Sequence, residues 1–303
     1  MLREKKIIKT RGMGMIKLFN EYLEVEVNEK GGCLNSIKSN GYEYQWQGSE
    51  DSWTGKDVAI FPWIARLKDG NYLVDGKEYS MKNHGLCRYA TLDVVEKTDT
   101  SCSLNLKAND ETLAQYPYKF SFTSIYTLNG PILSVEYMVE NIDDKPMYFG
   151  IGGHPAFNIP FERKETFDDI SGNSIEFEKE ISPKNYYLDP TGSFITHKGD
   201  FEPLKVLNLN KDIFAKYKTL MFTDANIDKV TLHKKDGKDV EMHLNNPMTV
   251  AIWTKEKFGG YICIEPWNGI PDMMEPEKEL SKKAGINKLD PGKIYTFGYT
   301  IKI

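Results

Sequence analysis

A glutamate and a histidine stand where a purely structural chain has little use for them. Glu265 lies in Tyr261-Ile-Cys-Ile-Glu265-Pro266-Trp267-Asn268-Gly269, a run that is wholly apolar up to the carboxylate. Charged side chains are seldom buried without a partner. A carboxylate at the end of an inner-strand pattern is therefore paired or pushed towards its protonated form, and either condition marks a site. His154 is led in by Gly150-Ile-Gly-Gly and followed by Pro155-Ala-Phe-Asn-Ile-Pro160. Glycine allows sharp turns and close approach, and Pro155 biases the residue before it towards extended backbone. The pattern predicts a stiff turn that presents the imidazole. A carboxylate and an imidazole together can accept and donate protons near neutral pH. The competing uses are a histidine bonded to core backbone and a strand-end glutamate facing water.

Two more residues break their surroundings. Arg66 interrupts Ile60-Phe-Pro-Trp-Ile-Ala-Arg66-Leu67, and His84 sits against a glycine in Lys82-Asn83-His84-Gly85-Leu86-Cys87-Arg88. An exposed strand-end cation and a turn histidine are the plain readings of these two.

The elements that must position these residues are strands. Tyr22–Val27 alternates apolar and polar residues with period two, and Leu34–Ile37 resumes after Gly31-Gly32. Lys38-Ser-Asn-Gly41 reads as a hairpin turn before Tyr42–Trp46. The same grammar recurs at 72–79, 92–96, 101–107, 120–128, 132–140, 229–233, 240–244, 249–253, 260–264 and 294–303. Helical periodicity is confined to two short candidates, 110–114 and 212–217. So many short strands, with turn signals every eight to twelve residues or so, predict an all-β protein built as a large antiparallel sandwich. No linker divides the chain, which reads as one domain over 16–303 behind a basic arm at 1–15.

Composition narrows the classes. Lys plus Arg is 39 against 44 Asp plus Glu, a formal charge of -5 without a basic block, so neither a nucleic-acid nor an anionic-membrane partner is indicated. Aromatic residues make up 12%, enough for stacking surfaces on a planar or sugar ligand. The four cysteines, Cys33, Cys87, Cys102 and Cys263, form no C-x-x-C pair and read as reduced thiols. There is no apolar run long enough to span a bilayer and no apolar core of a signal peptide at the start, so the expectation is a cytoplasmic protein.

With these motifs assembled, the chain resembles the galactose mutarotase (aldose 1-epimerase) family, in its LacX-like bacterial branch, from about Ile16 to the C-terminus. The resemblance rests on F-P-W-I-A-R at 61–66, N-H-G-L-C-R at 83–88, G-G-H-P-A-F-N at 152–158 and C-I-E-P-W-N-G at 263–269, in that order. It implies a supersandwich with an open cleft on one concave face. It also implies interconversion of the α and β anomers of a free aldohexose, an isomerase reaction needing no cofactor and no metal. By resemblance Glu265 is the general base and His154 the general acid, with Arg66 and His84 contacting sugar hydroxyls and the ring or anomeric oxygen. Trp63, Phe157 and Trp267 are candidates to pack on the apolar face of the pyranose. The family usually has glycine before the arginine, where Ala65 stands here. It also has an aspartate in the later half that grips the sugar; Asp224 is the candidate, with Asp212 behind it.

Three rivals follow. A hexose-6-phosphate 1-epimerase needs cations near C6 of the sugar, and Lys68 and Arg88 lie close to two of the motifs. A sugar-binding or regulatory module needs neither Glu265 nor His154. A glycoside hydrolase needs two carboxylates flanking the bond, and the motifs supply one. The partner in the leading reading is a glucose- or galactose-like sugar, with the protein a monomer or homodimer.

Overall fold

Period-two patterning of this kind buries one side of each strand, and two such sheets satisfy one another by stacking. The structure, a computed structural model, describes residues 14–165, 167–255 and 259–303. One sheet has nine antiparallel strands, in the order 204–208, 174–181, 229–233, 240–243, 294–302, 132–141, 120–129, 101–107 and 93–97. The other has eight: β1 (Ala59–Ile60), β2 (Ile151–Gly153), β3 (Ala156–Asn158), β4 (Lys184–Leu188), β5 (Ile195–Asp200), β6 (Thr219–Thr223), β7 (Thr249–Trp253) and β8 (Tyr261–Asn268). Their spatial order is β5-β4-β6-β7-β8-β2-β1, with β3 also paired to β8. A four-stranded sheet from Met15–Phe19, Glu24–Asn28, Cys33–Ser39 and Tyr42–Glu43 completes the N-terminal part. This is the large antiparallel sandwich that the sequence predicts.

The core lies between the two big sheets. Val250 and Ile252 of β7 and Ile262 and Ile264 of β8 share one apolar cluster with Phe122, Tyr137 and Tyr299 of the nine-stranded sheet. The alternate residues of β7 and β8, Ala251, Trp253, Cys263, Glu265 and Trp267, must by the same period face the other way. Ala251 and Trp267 accordingly belong to a second cluster with Ile60, Ile64 and Met221. Strand β8 is thus buried on both faces, and only its last residue is partly exposed.

Several sequence readings hold in detail. Asn40 and Gly41 both take positive φ, 49° and 78°, between paired Ser39 and Tyr42, as an Asn-Gly hairpin requires. Among the described residues the α-helices are α1 (Asp110–Gln115), capped by the Asn109 side chain, and α2 (Lys211–Tyr217). Others need correction. Residues 150–160 are two short strands, β2 and β3, rather than one turn. Glu265 sits inside a strand, not at its end, because β8 continues through Pro266 to Asn268. Strands at 174–208 escaped the pattern because β5 and the strand at 204–208 are mostly exposed and carry little apolar alternation. Of the expected N-terminal arm, residues 1–13 lie outside the described residues, and the first strand begins at Met15. Among the described residues no helix is long and apolar enough to cross a membrane.

The pairing of β2 with β8 depends on a missing side chain. A Cβ on Gly152 would come within 2.4 Å of Cδ1 of Trp267 and 2.9 Å of the Pro266 carbonyl oxygen. Gly152→Ala should therefore push β2 from β8 and destabilise the fold by about 1–3 kcal/mol, the usual cost of overpacking. A urea midpoint equal to that of the parent would contradict this.

Candidate active site

Strands β2 and β3 both pair with the same edge of β8, on either side of an excursion. Ile151 and Gly152 face Asn268 and Trp267, while Ala156, Phe157 and Asn158 face Cys263, Ile262 and Tyr261. The interval left on β8, residues 264–266, is where Pro266 has no N–H to offer a neighbour. Opposite that interval the chain passes through Gly153, His154 and Pro155, and the Pro155 carbonyl accepts from the Ile264 N–H at 3.3 Å. This register brings His154 Nε2 to 3.2 Å from Glu265 Oε2.

Both side chains are almost wholly buried, at 6% and 2% exposure, so water stabilises neither charge. Burial pushes His154 down to about 3, and the Arg88 charge acts in the same direction. Burial also raises Glu265 well above the usual carboxylate range, the negative charge of Asp57 adds to this, and the Trp267 side chain opposes it. Each shift favours the neutral form. A neutral carboxylic acid beside a neutral imidazole and a carboxylate beside an imidazolium hold the same number of protons. They differ by one proton moved across the 3.2 Å between Oε2 and Nε2.

The pair forms the wall of a cleft of about 270 Å³, also lined by Trp53, Arg66, Asn83, His84, Arg88, Thr191, Gly192, Ser193, Thr219, Trp253 and Trp267. That is near the lower end of small-molecule sites and suits one ring rather than a chain of them. His84 is fixed by two bonds to one residue: its N–H donates to the Ala65 carbonyl at 2.8 Å, and its Nδ1 accepts from the Ala65 N–H at 3.2 Å. An accepting Nδ1 leaves the proton on Nε2. Burial, followed by the charges of His154, Arg88 and Arg66, holds His84 well below its ordinary value, so it remains a neutral donor. Gly85, at φ 79°, lets the loop reach Phe61, whose carbonyl oxygen would lie 2.3 Å from any Cβ there.

Of the sequence candidates, Glu265, His154, Arg66, His84 and Trp267 all line this cleft. Asp224 does not. It follows β6 at the end opposite Thr219, about 16 Å away along the strand, is exposed, and pairs with Lys198 at 3.1 Å. Asp212 is exposed in the first turn of α2. Trp63 and Phe157 are core residues, at 3% and 0% exposure. Lys68 binds Asp69 at 3.0 Å and covers the Phe194 ring, whereas Arg88 does reach the cleft.

Several lining residues went unread in the sequence. Trp53 stacks on the His154 ring, with centroids 5.2 Å apart and planes at 30°, and Trp253 meets the same ring edge-on at 6.0 Å. A lone tryptophan among Asp51, Ser52, Thr54 and Gly55 was the available signal. Thr191–Ser193 come from a turn gathered by Asp189, whose oxygens accept from the Ser193 and Phe194 N–H groups at 2.8 Å and from the Thr191 hydroxyl.

His154, Cys263 and Glu265 place a nitrogen, a sulfur and an oxygen within 4.8 Å of one another, a donor set chemically able to take a metal. The Cys263 thiol is pushed well above its ordinary value by burial and then by Glu265 and Asp57.

Comparison with known proteins places nearly the whole chain in a family. The family model described as Aldose 1-epimerase matches residues 14–302. The plasmid-borne protein LacX of Lactococcus lactis subsp. lactis is 29% identical over 284 residues, covering 91% of this chain and 95% of the relative. A galactose mutarotase related enzyme from Lactobacillus acidophilus superposes with a TM-score of 0.88 at 29% identity, over 95% of this chain and 97% of that one. A galactose mutarotase-like protein from Lactobacillus casei ATCC 334 gives 0.87 at 26%, over 95% and 99%.

The residue that departs from the family pattern also has a structural reading. Ala65 takes φ 52°, the left-handed region in which a Cβ is strained. Ala65→Gly should raise unfolding free energy by about 0.5–1 kcal/mol after the entropy gained by the unfolded chain is deducted. Chemical denaturation of the two proteins side by side checks it, and a lower midpoint for the glycine variant would refute it.

Proposed function

The chain belongs to the aldose 1-epimerase family, and we propose that it interconverts the α and β anomers of an aldohexose by acid–base ring opening at Glu265 and His154. The observation that carries this reading is the buried contact of 3.2 Å between the two side chains on one wall of a single-ring cleft.

Mutarotation needs a proton removed from the C1 hydroxyl and another placed on the ring oxygen. The C1–O5 bond then breaks to an aldehyde and an alcohol, C1 turns about C1–C2, and reclosure presents its other face. Glu265 takes the C1 proton and His154 supplies the ring-oxygen proton, and closure exchanges their roles. The microstate required is carboxylate with imidazolium, reached from the neutral pair by the single proton shift. A sugar seated in the cleft favours it by donating to the carboxylate. Arg66 and the Nε2–H of His84 hold hydroxyls and negative charge on oxygen. Trp267, with Trp53 and Trp253, supplies apolar faces for the pyranose. In place of an aspartate grip, Asn83, Thr191 and Ser193 offer polar groups at the rim.

Arg88 favours one variant of this reading. A second guanidinium in the cleft could take the phosphate of a hexose 6-phosphate, using the same pair at C1.

The test is polarimetry of freshly dissolved α-D-glucose, α-D-galactose and glucose 6-phosphate with the parent protein, Glu265→Gln and His154→Asn. Faster approach to anomeric equilibrium is expected, reduced by about 10²–10⁴-fold in either variant. Acceleration confined to the phosphorylated sugar selects the Arg88 variant. Undiminished turnover in Glu265→Gln refutes the assignment.

The same substitution should stabilise the fold. The folded-state pKa of Glu265 lies above its unfolded value, so stability falls as pH rises from the unfolded value through the folded one. At neutral pH a glutamine lacks that penalty, and Glu265→Gln should be more stable than the parent. A melting temperature below that of the parent would count against it.

A further inference from the structure

Two buried aspartates of this protein are held in different ways. Asp272 has a cation: both of its oxygens receive Lys283 Nζ, at 2.9 and 2.8 Å, and the Lys68 N–H adds a third bond. Asp57, just before β1, is equally buried at 2% exposure, yet among the described residues no cation lies within 4.0 Å of it. Its Oδ2 accepts from the Leu34 N–H at 2.9 Å, and its Oδ1 has no hydrogen-bonded partner of its own. The remaining support comes from main-chain N–H groups that favour its charge, those of His154 and Val58. A buried carboxylate without a counter-ion is an expense that structural needs alone seldom explain. Asp57 lies two residues before Ala59, which pairs with Gly153, so the chain that carries it runs alongside the segment that carries His154.

We propose that Asp57 is a positioning residue of the active centre, holding the main chain of His154 from beneath the cleft and placing a second negative charge behind Glu265. The proposal rests on the acid–base reading of that pair. Gly153, next to His154, has no side chain because the Tyr299 ring fills that space; a Cβ would meet its Cε1 at 2.4 Å. The excursion between β2 and β3 is therefore pinned by Tyr299 on one residue and by Asp57 on the next. That restraint sets where the imidazole sits relative to Glu265. The added charge makes Glu265 a stronger base than burial alone would, which raises the driving force for taking the C1 proton.

The groups that face Asp57 leave its titration legible. They are the thiols of Cys33 and Cys263, the hydroxyls of Tyr126, Tyr137 and Tyr299, and the carboxyl of Glu265. Lys56 and Arg88 act on Cys33, and Arg88 also acts on both His84 and His154. Burial lifts the thiols and phenols far from neutrality, so they stay uncharged there. Asp57 itself is pushed up to about 6 by burial, against the pull of its N–H donors.

Two measurements test the proposal. In the first, the pH dependence of kcat/KM is compared for the parent and Asp57→Asn. Removing the charge behind Glu265 lowers its proton affinity, so the alkaline limb, on which the pair loses its shared proton and Asp57 is charged, should move to lower pH by about one unit. kcat should fall about tenfold with KM little changed, since the residue acts on the proton transfers rather than on the sugar. An unmoved limb, with activity lost only in proportion to folded protein, would make Asp57 merely structural and overturn the proposal.

The second uses the unaltered protein and no sugar, so it stands even where a variant fails to fold or no turnover is found. In an amide ¹H–¹⁵N pH titration, the Leu34 and His154 N–H groups should shift together through one transition near pH 6, the value to which Asp57 is raised. A His154 amide that stays still while Leu34 titrates would refute the contact. Shared titration without sugar turnover would uphold the contact while rejecting the acid–base reading, and with it the catalytic part of the proposal.

Discussion

A carboxyl group and an imidazole share an interior that can hold only one proton between them without severe penalty. Everything around Glu265 and His154 follows from that constraint. The central strand keeps water from the carboxyl on both faces, and the excursion at His154 brings the second group close enough to share the proton. Burial drives both groups towards neutrality.

The scaffold answers the demand through its register. An antiparallel strand pairs with its neighbour residue by residue, so a single proline normally leaves a gap in the ladder. Here the gap left by Pro266 coincides with the point where β2 ends and β3 has not begun. The excursion that fills it carries His154. Small residues make the approach possible: Gly152 against Trp267, Gly153 against Tyr299, Gly85 against the Phe61 carbonyl. The positive φ of Ala65 and His84 belongs to the same economy, since strained backbone persists where surrounding contacts over-determine it. These loops join Arg66 and His84 to the wall on which Glu265 lies.

The cleft is polar at its rim and aromatic at its sides, an arrangement suited to a ring that has hydroxyls around its edge and C–H groups on its faces. Tryptophans from a loop, from β7 and from β8 surround the His154 imidazole and the space beside it. The cleft's cations, Arg66 and Arg88, flank the loops that position His84. Family membership fixes the class of chemistry, a sugar epimerase or mutarotase role, while the identity of the sugar depends on how that rim is filled.

The sequence alone determined the architecture and the chemical cast. Period-two patterning, an Asn-Gly hairpin turn and scarce helical signal specify a sandwich, because strand alternation is a local property written in neighbouring residues. Glu265 was legible because a charge in an apolar run violates the pattern, and His154 because its glycines and proline do. Only the tertiary structure decided which distant residues meet. It removed Asp224, since the far end of a strand is remote from the near end however close the numbers. It brought in Trp53, Thr191 and Ser193 from loops and Trp253 from the end of β7, residues far apart in the chain that line one cleft. Above all it revealed Asp57, an unremarkable aspartate between Lys56 and Val58 in the chain. Its place arises from burial, from the Leu34 N–H that it accepts and from the register that sets Ala59 opposite Gly153, relations between segments that no local pattern connects.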